Sequence, residues 1–120
     1  MNLKRKYSRF KVSRRFNRRL AKLVSGCAEV RNLQSDGKII SAEKKYNRKL
    51  CFYYGECRVL LKRRAEELEG SKDALSEMEK IRAAFLEFYA LAEGYKVDIA
   101  EQRNDALAFI DKAEEVLKTK

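Results

Sequence analysis

The sequence predicts a single all-α domain, arranged either as an antiparallel four-helix bundle or as a long helical hairpin. The chain of 120 residues contains no Pro and is rich in residues with high helix propensity. Its apolar residues recur three and four positions apart, and no stretch alternates apolar and polar residues as a strand would. With 45% hydrophobic residues, a chain of this length can bury a core of its own.

The first predicted helix covers about residues 5–34 and is amphipathic. Its apolar side chains share an arc of about 120° on a helical wheel. They are Val12, Phe16, Leu20, Leu23, Val24, Cys27 and Val30. The opposite side of the helix is almost wholly cationic. Its residues are Lys11, Arg14, Arg15, Arg18, Arg19 and Lys22. The turn signal at residues 35–37 ends this helix.

The remaining sequence predicts three further helices, at about residues 41–69, 71–93 and 98–118. Ser41 is the predicted N-cap of the second helix and Asp98 that of the fourth. The apolar stripe of the second helix has heptad-like spacing. The stripes comprise Tyr46, Leu50, Tyr53, Tyr54, Cys57, Leu60, Leu61 and Leu68, then Leu75, Met78, Ile81, Phe85, Phe88, Tyr89 and Ala92, and finally Ile99, Ala106, Ile110, Ala113 and Leu117.

Four amphipathic helices joined by short turns cover their apolar stripes most economically as an antiparallel bundle. Gly70 and Ser71, followed by Asp73, favour a break between the second and third helices. In the alternative, these two helices join into one long helix. The resulting hairpin would need a partner to cover its apolar surface.

Charge is distributed unevenly along the chain. Residues 1–65 contain 20 Lys and Arg against 4 Asp and Glu, a net charge of +16, whereas residues 66–120 contain 8 against 14, a net charge of −6. The overall net charge is +10. Even if every acid of the second half paired with a base of the first, uncompensated cations would remain, and clustered like charge destabilises a fold. The excess predicts a negatively charged partner.

Three basic segments, residues 4–11, 14–19 and 44–49, concentrate this charge. Arg side chains bind phosphate oxygens in a bidentate manner and stay charged at any working pH, so an Arg-rich helix suits a phosphate backbone. We therefore predict a nucleic-acid-binding face on the first two helices. Its predicted residues are Lys4, Arg5, Lys6, Arg9, Lys11, Arg14, Arg15, Arg18, Arg19, Lys22, Lys44, Lys45, Arg48, Lys49 and Phe52.

Phe52 is unusual because it lies opposite the apolar stripe of the second helix. On the helical wheel it falls near Lys45, Arg48 and Arg63. Either a second packing surface covers the ring, or the ring offers a stacking or partner-binding platform among cations. Both interpretations stay open at the level of sequence.

The sequence argues against an enzyme and predicts neither a metal nor a cofactor. It contains no His, the commonest general acid and base at neutral pH and a common zinc ligand. It also lacks the glycine-rich phosphate loops and the nucleophile elbow. Glu66, Glu67 and Glu69 directly follow the basic residues 62–64. A charged helical turn explains this cluster better than a metal site does.

Three cysteines, Cys27, Cys51 and Cys57, are too few and too irregular for a disulfide framework. We expect buried thiols and an intracellular, reducing compartment, either cytoplasmic or nucleoid-associated. Cys51 and Cys57 lie about 240° apart on a helix, which argues against a redox pair or a zinc knuckle. No apolar run approaches the roughly 18 residues of a membrane span, so none is predicted.

These observations predict a small basic helical protein that binds DNA or RNA through phosphate contacts of its first two helices. The alternative is an adaptor or inhibitor that binds an acidic protein surface, for example within a nucleoprotein complex. A membrane surface ranks third, because a bundle would bury the apolar face that a lipid interface requires. The sequence leaves open the choice between DNA and RNA and the oligomeric state.

Overall fold

Helices form nearly the whole of the chain that the structure describes. The computed structural model describes residues 3–119, with the side chains of residues 12–119. The elements are α1 (Leu3–Ser35), α2 (Ile39–Lys45), a π-helical turn (Tyr46–Leu50), α3 (Cys51–Leu68), α4 (Ala74–Gly94) and α5 (Ala100–Lys118). The α2 segment, the π turn and α3 follow one another without a break and are together called helix two, residues 39–68. Residues 3–119 contain no strand, which confirms the all-α class.

The first two helical rods run antiparallel. Near the start of helix two, Lys45 pairs with Glu29 of α1. Further along helix two, Glu56 pairs with Arg15, much nearer the start of α1. Residue numbers therefore fall along α1 as they rise along helix two, as the predicted bundle requires.

An aromatic cluster joins helix two to α4 and forms the centre of the core. The Tyr54 ring stacks on Phe88 with the ring centroids 4.3 Å apart. The ring of Tyr46, which precedes Tyr54 in helix two, also stacks on Phe88, with the ring centroids 5.5 Å apart. The hydroxyl groups of Tyr54 and Tyr89 share a hydrogen bond of 2.9 Å. Burial is the main cause that raises the pKa of both of these hydroxyls.

The last helix returns along α4. Arg82 of α4 makes two hydrogen bonds of 3.1 Å to the carboxylate of Glu114 and also pairs with Asp111. Glu114 is buried, so this bidentate contact satisfies a carboxylate that would otherwise be costly to desolvate. The chain thus forms an up-down-up-down bundle, and the four-helix architecture is confirmed.

The structure corrects the predicted capping residues. Helix two begins at Ile39, two residues before the prediction, and Lys38 occupies its N-cap. Ser41 lies exposed inside the helix, so its assignment as a cap is wrong. The N-cap of α5 is Ile99, and Asp98 accepts a hydrogen bond from the Ala100 N–H at 3.4 Å.

The chain turns between helix two and α4. The last residue of α3 is Leu68 and the first of α4 is Ala74, with turn geometry in between. The Ser71 N–H donates to the Leu68 carbonyl at 2.9 Å, which closes the end of the helix. A single continuous helix through Gly70, the basis of the hairpin alternative, does not occur.

Two apolar positions of α1 lie at the margin of the core instead of inside it. Phe16 and Leu23 are completely buried. In contrast, Leu20 is half-buried and Val24 is 52% exposed. The apolar arc of α1 is therefore wider than the surface that helix two and α4 cover.

Helix two approaches α1 closely at Gly26. A Cβ atom at this position would overlap Cδ2 of Leu50, which ends the π turn and is fully buried. The missing side chain at Gly26 thus lets Leu50 reach the backbone of α1. Leu50 and Tyr46 are both directed into the core from opposite ends of the π turn.

The thiols of Cys27 and Cys57 are buried in this core, and the described cysteines are all free. Burial raises the pKa of Cys27 to about 11 and that of Cys57 to about 12. Cys51 is half-buried, so the prediction that the cysteines are buried holds fully for two of the three.

We predict that Gly26→Ala and Gly55→Ala have different effects on stability. Both glycines lie inside helices, and Ala improves helix propensity by about 1 kcal/mol. Nothing lies within 4 Å of the Cβ position at Gly55, so this control should be stabilised. At Gly26 the buried Leu50 must move, at a cost of about 1–3 kcal/mol. Denaturant unfolding measures both, and equal stabilisation would contradict the close contact.

We also predict that thiol labelling of the native protein at pH 8 modifies Cys51 first. Cys27 and Cys57 should react slowly, because only the thiolate reacts and burial keeps both groups protonated. Unfolded protein should react quickly at all three positions. The raised pKa values also imply that the free energy of unfolding falls as the pH rises above about 9, where unfolded thiols ionise first. Rapid native labelling of Cys27 and Cys57 would contradict their burial.

Candidate nucleic-acid interface

Exposed cations form a row on each of the first two helical rods. Arg14, Arg18 and Lys22 follow one another at four-residue intervals on α1, and all three are exposed. This spacing aligns them along one side of the helix, about 6 Å apart for each four-residue step. Lys44 and Arg48 repeat the interval on helix two and are exposed as well. Both rows belong to the predicted binding residues.

The cations of these rows are not neutralised by the protein itself. Within residues 12–119, none of Arg14, Arg18, Lys22, Lys44 and Arg48 takes part in an ion pair. The same holds for Lys49, which is also exposed. Their charge is therefore available to an anion in solution.

Three other predicted binding residues have a structural role at the contact between α1 and helix two. Arg15 donates a hydrogen bond of 2.6 Å to Glu56, and Nε of Arg19 lies 3.7 Å from the same carboxylate oxygen. Lys45 pairs with Glu29. These pairs place two acids between two basic helices and reduce the repulsion between them. An outside phosphate would have to compete with Glu56 for Arg15 and Arg19.

The Phe52 ring lies on this surface and is 52% exposed. The Arg19 guanidinium carbon lies 5.1 Å from the ring centroid, which is a cation–π distance. The edge-to-face contact with Tyr53, at 5.8 Å, supports the ring from the side. Of the two interpretations of Phe52, the described residues show an open ring among cations and no second packing surface over it.

Two further residues extend this surface, although they were not among the predicted binding residues. Val59 is 73% exposed and Arg63 is exposed, both on α3. They follow Phe52 at intervals of seven and eleven residues, which brings all three close to one line along the helix. The helical wheel of the second helix already places Arg63 near Phe52 and Val59 one heptad after it.

Five of the predicted binding residues lie outside the residues whose side chains the structure describes. They are Lys4, Arg5, Lys6, Arg9 and Lys11. The predictions for them therefore stay predictions.

Acidic residues of the second half are engaged mainly away from this surface. Asp111 and Glu114 pair with Arg82 between α4 and α5. One pair, Arg31 with Glu87 at 3.0 Å, crosses from α1 to α4. The two rows of exposed cations thus lie on α1 and helix two, whereas the ion pairs of Arg82 lie between α4 and α5.

The structure contains neither a metal-binding cluster nor a membrane-spanning helix in its described part. Among the described residues, no three His, Cys, Asp or Glu side chains come together as metal ligands. No described helix combines the length and the apolar character needed to cross a bilayer.

Comparison with known proteins does not assign the chain to a family. Its sequence matches no protein-family model, and neither the curated proteins nor the solved structures include a significant match. The geometry of the interface itself must therefore support any functional conclusion.

Proposed function

We propose that the protein binds nucleic acid without a catalytic step, through phosphate contacts of α1 and helix two. The observation that supports this most strongly is that six cations of the predicted face are exposed and take part in no ion pair within residues 12–119. They are Arg14, Arg18, Lys22, Lys44, Arg48 and Lys49. Like charges held together on a fold are unfavourable unless a counter-charge offsets them.

The spacing of the α1 row suits a phosphate backbone. From Arg14 to Lys22 the helix rises about 12 Å. One strand of duplex DNA presents a phosphate about every 3.4 Å of helix axis, so about three to four phosphates lie along this length. Arg14 and Arg18 can bind phosphate oxygens in a bidentate manner, whereas Lys22 acts as a point charge.

Binding through this face is electrostatic and largely independent of base sequence. Each phosphate that a cation neutralises releases counterions, which supplies free energy that salt opposes. Helix two also contributes an aromatic ring beside these charges. Phe52 can stack on a base that is not paired in a duplex. Arg19, which lies against the same ring, would place its charge beside that base. The surface therefore suits single strands as well as duplexes.

We predict that affinity for duplex DNA falls steeply with salt. If all six free cations contact phosphates, the slope of log affinity against log salt is about −5. Arg14→Gln with Arg18→Gln should flatten this slope by about 2 units and weaken binding to all sequences alike. Helix propensity is kept, so the fold should be intact. Fluorescence anisotropy titrations at several salt concentrations measure these slopes.

The matched control is Lys112→Gln with Lys118→Gln. It removes the same charge from exposed positions of α5, a helix that carries none of the predicted binding residues. The control should keep the wild-type slope. Equal flattening by both double variants would show that net charge, and not the face on α1, governs binding. Failure of the wild-type protein to bind at low salt would reject the proposal.

We predict that Phe52→Ala weakens binding to single strands by about 1–3 kcal/mol and binding to duplexes much less. The physical reason is that stacking requires an exposed base face. Phe52→Leu is the matched variant, since it keeps apolar volume but removes the aromatic ring. Both variants should lose single-strand affinity. Equal losses on duplex and single strand, or full retention with Leu, would contradict stacking.

A further inference from the structure

A second surface lies on the side of α1 that faces α4. There the two helices enclose an open groove of about 750 Å³. Its lining is mainly apolar and includes Leu20, Val24 and Ala28 of α1, Ala83 and Ala84 of α4, and Cys27 at the buried side. Val24 is 52% exposed here, although it belongs to the apolar arc of α1.

The groove exists because α5 packs elsewhere. The last helix lies against α4, and its Phe109 and Ala113 line a cavity together with Ala65 of α3. Apart from α1 itself, no described helix packs on the side of α4 that faces α1. The position of a further helix beside α1 and α4 is thus left open, with apolar walls on both sides.

The shape of the groove suits a helix. It extends along α1 from Asn17 to Arg31, which is about 21 Å of helix. The walls carry small side chains, Ala28, Ala83 and Ala84, so that a third helix can approach closely. An amphipathic helix enters such a groove with apolar anchors at intervals of three, four and seven residues.

The charges around the groove indicate the chemistry of that helix. Arg14 lies three residues before Asn17 and Arg18 three residues before Ala21, two lining residues of α1, and neither Arg has an ion pair within residues 12–119. On the opposite wall, the side chain of Lys80 is 66% exposed. It forms an ion pair with Glu77 of the same helix. The excess charge at this end is positive. At the other end, the Arg31–Glu87 pair spans the two walls and is neutral.

We infer that the groove between α1 and α4 binds an amphipathic α-helix of a partner protein, whose apolar face contacts Val24 and whose Asp or Glu residues meet Arg14 and Arg18. A second copy of this chain is disfavoured as the occupant. Its own net charge is +10, and pairing the two grooves would bring like charges together. This partner-binding role shares Arg14 and Arg18 with the proposed phosphate contacts. It differs from them in its apolar contact at Val24.

Labelled helical peptides test this inference. Three synthetic peptides share one ridge of Leu at helical spacing and carry Glu, Gln or Lys along its edge. In anisotropy titrations the Glu peptide should bind most tightly, about tenfold or more above the Lys peptide. No binding of the Glu peptide, or equal binding of the Lys peptide, would overturn the inference.

A pair of variants locates the binding. Val24→Asp places a charge inside the groove and should weaken the Glu peptide about tenfold or more. Val116→Asp makes the same change of charge at an exposed position of α5, outside the groove and outside the cationic rows, and its affinity for the Glu peptide should stay within about twofold of wild type. Equal weakening by both would show simple charge attraction. Thermal unfolding confirms that both variants are folded.

Two additional measurements separate the remaining outcomes. Sedimentation of the protein alone should show a monomer at micromolar concentration. A dimer that Val24→Asp dissociates would assign the groove to a second copy and overturn the inference. Affinity for duplex DNA should change equally in Val24→Asp and Val116→Asp, because neither residue belongs to the proposed nucleic-acid face, so loss of peptide binding and loss of nucleic-acid binding can be told apart.

Discussion

The structure depends on bringing two strongly basic helical rods into direct contact. Residues 1–65 carry a net charge of +16, and they contain all of α1 and most of helix two. Repulsion between these rods opposes folding. Apolar contact offsets it, for example where Leu50 reaches the backbone of α1 at Gly26. Glu29 and Glu56 add their charge at the same contact.

This arrangement divides the cations into two groups with different roles. Those near the contact, Arg15, Arg19 and Lys45, are paired with acids and contribute to holding the helices together. Each exposed pair contributes modestly, at most about 1 kcal/mol. Their larger effect is on the surface, because Arg14 and Arg18 are left as free charges beside a contact where three cations meet two carboxylates. On a uniformly basic surface the positive charge would be spread evenly. Here the free cations are arranged in rows.

Much of the fold was predictable from sequence because helix period and turn signals are local. The apolar stripes correctly identified Phe16, Leu50 and Phe85 as core residues. The pairing of Glu56 with Arg15 was not predictable, since it depends on the register of two helices that are 41 residues apart at this point. The exposure of Val24 was missed for a similar reason, because it depends on where α5 packs.

The π turn and the close contact at Gly26 had no clear signal in the apolar pattern. A glycine inside an otherwise regular helix does indicate a place where a backbone or side chain approaches closely. Gly26 and Gly55 both carry that signal. At Gly55, however, nothing lies within 4 Å of the Cβ position. Sequence alone therefore raises the question at both positions, and only the packing of Leu50 separates them.

The most direct test of a nucleic-acid face on α1 and helix two is to map it residue by residue. Amide resonances of the isotopically labelled protein are followed by NMR during titration with a short single-stranded DNA and with a duplex. The shifts should cluster at Arg14, Arg18 and Lys22 on α1 and around Arg48 and Phe52 on helix two, and they should weaken as salt is added. Shifts centred on α4 and α5, or none at low salt, would contradict this interface.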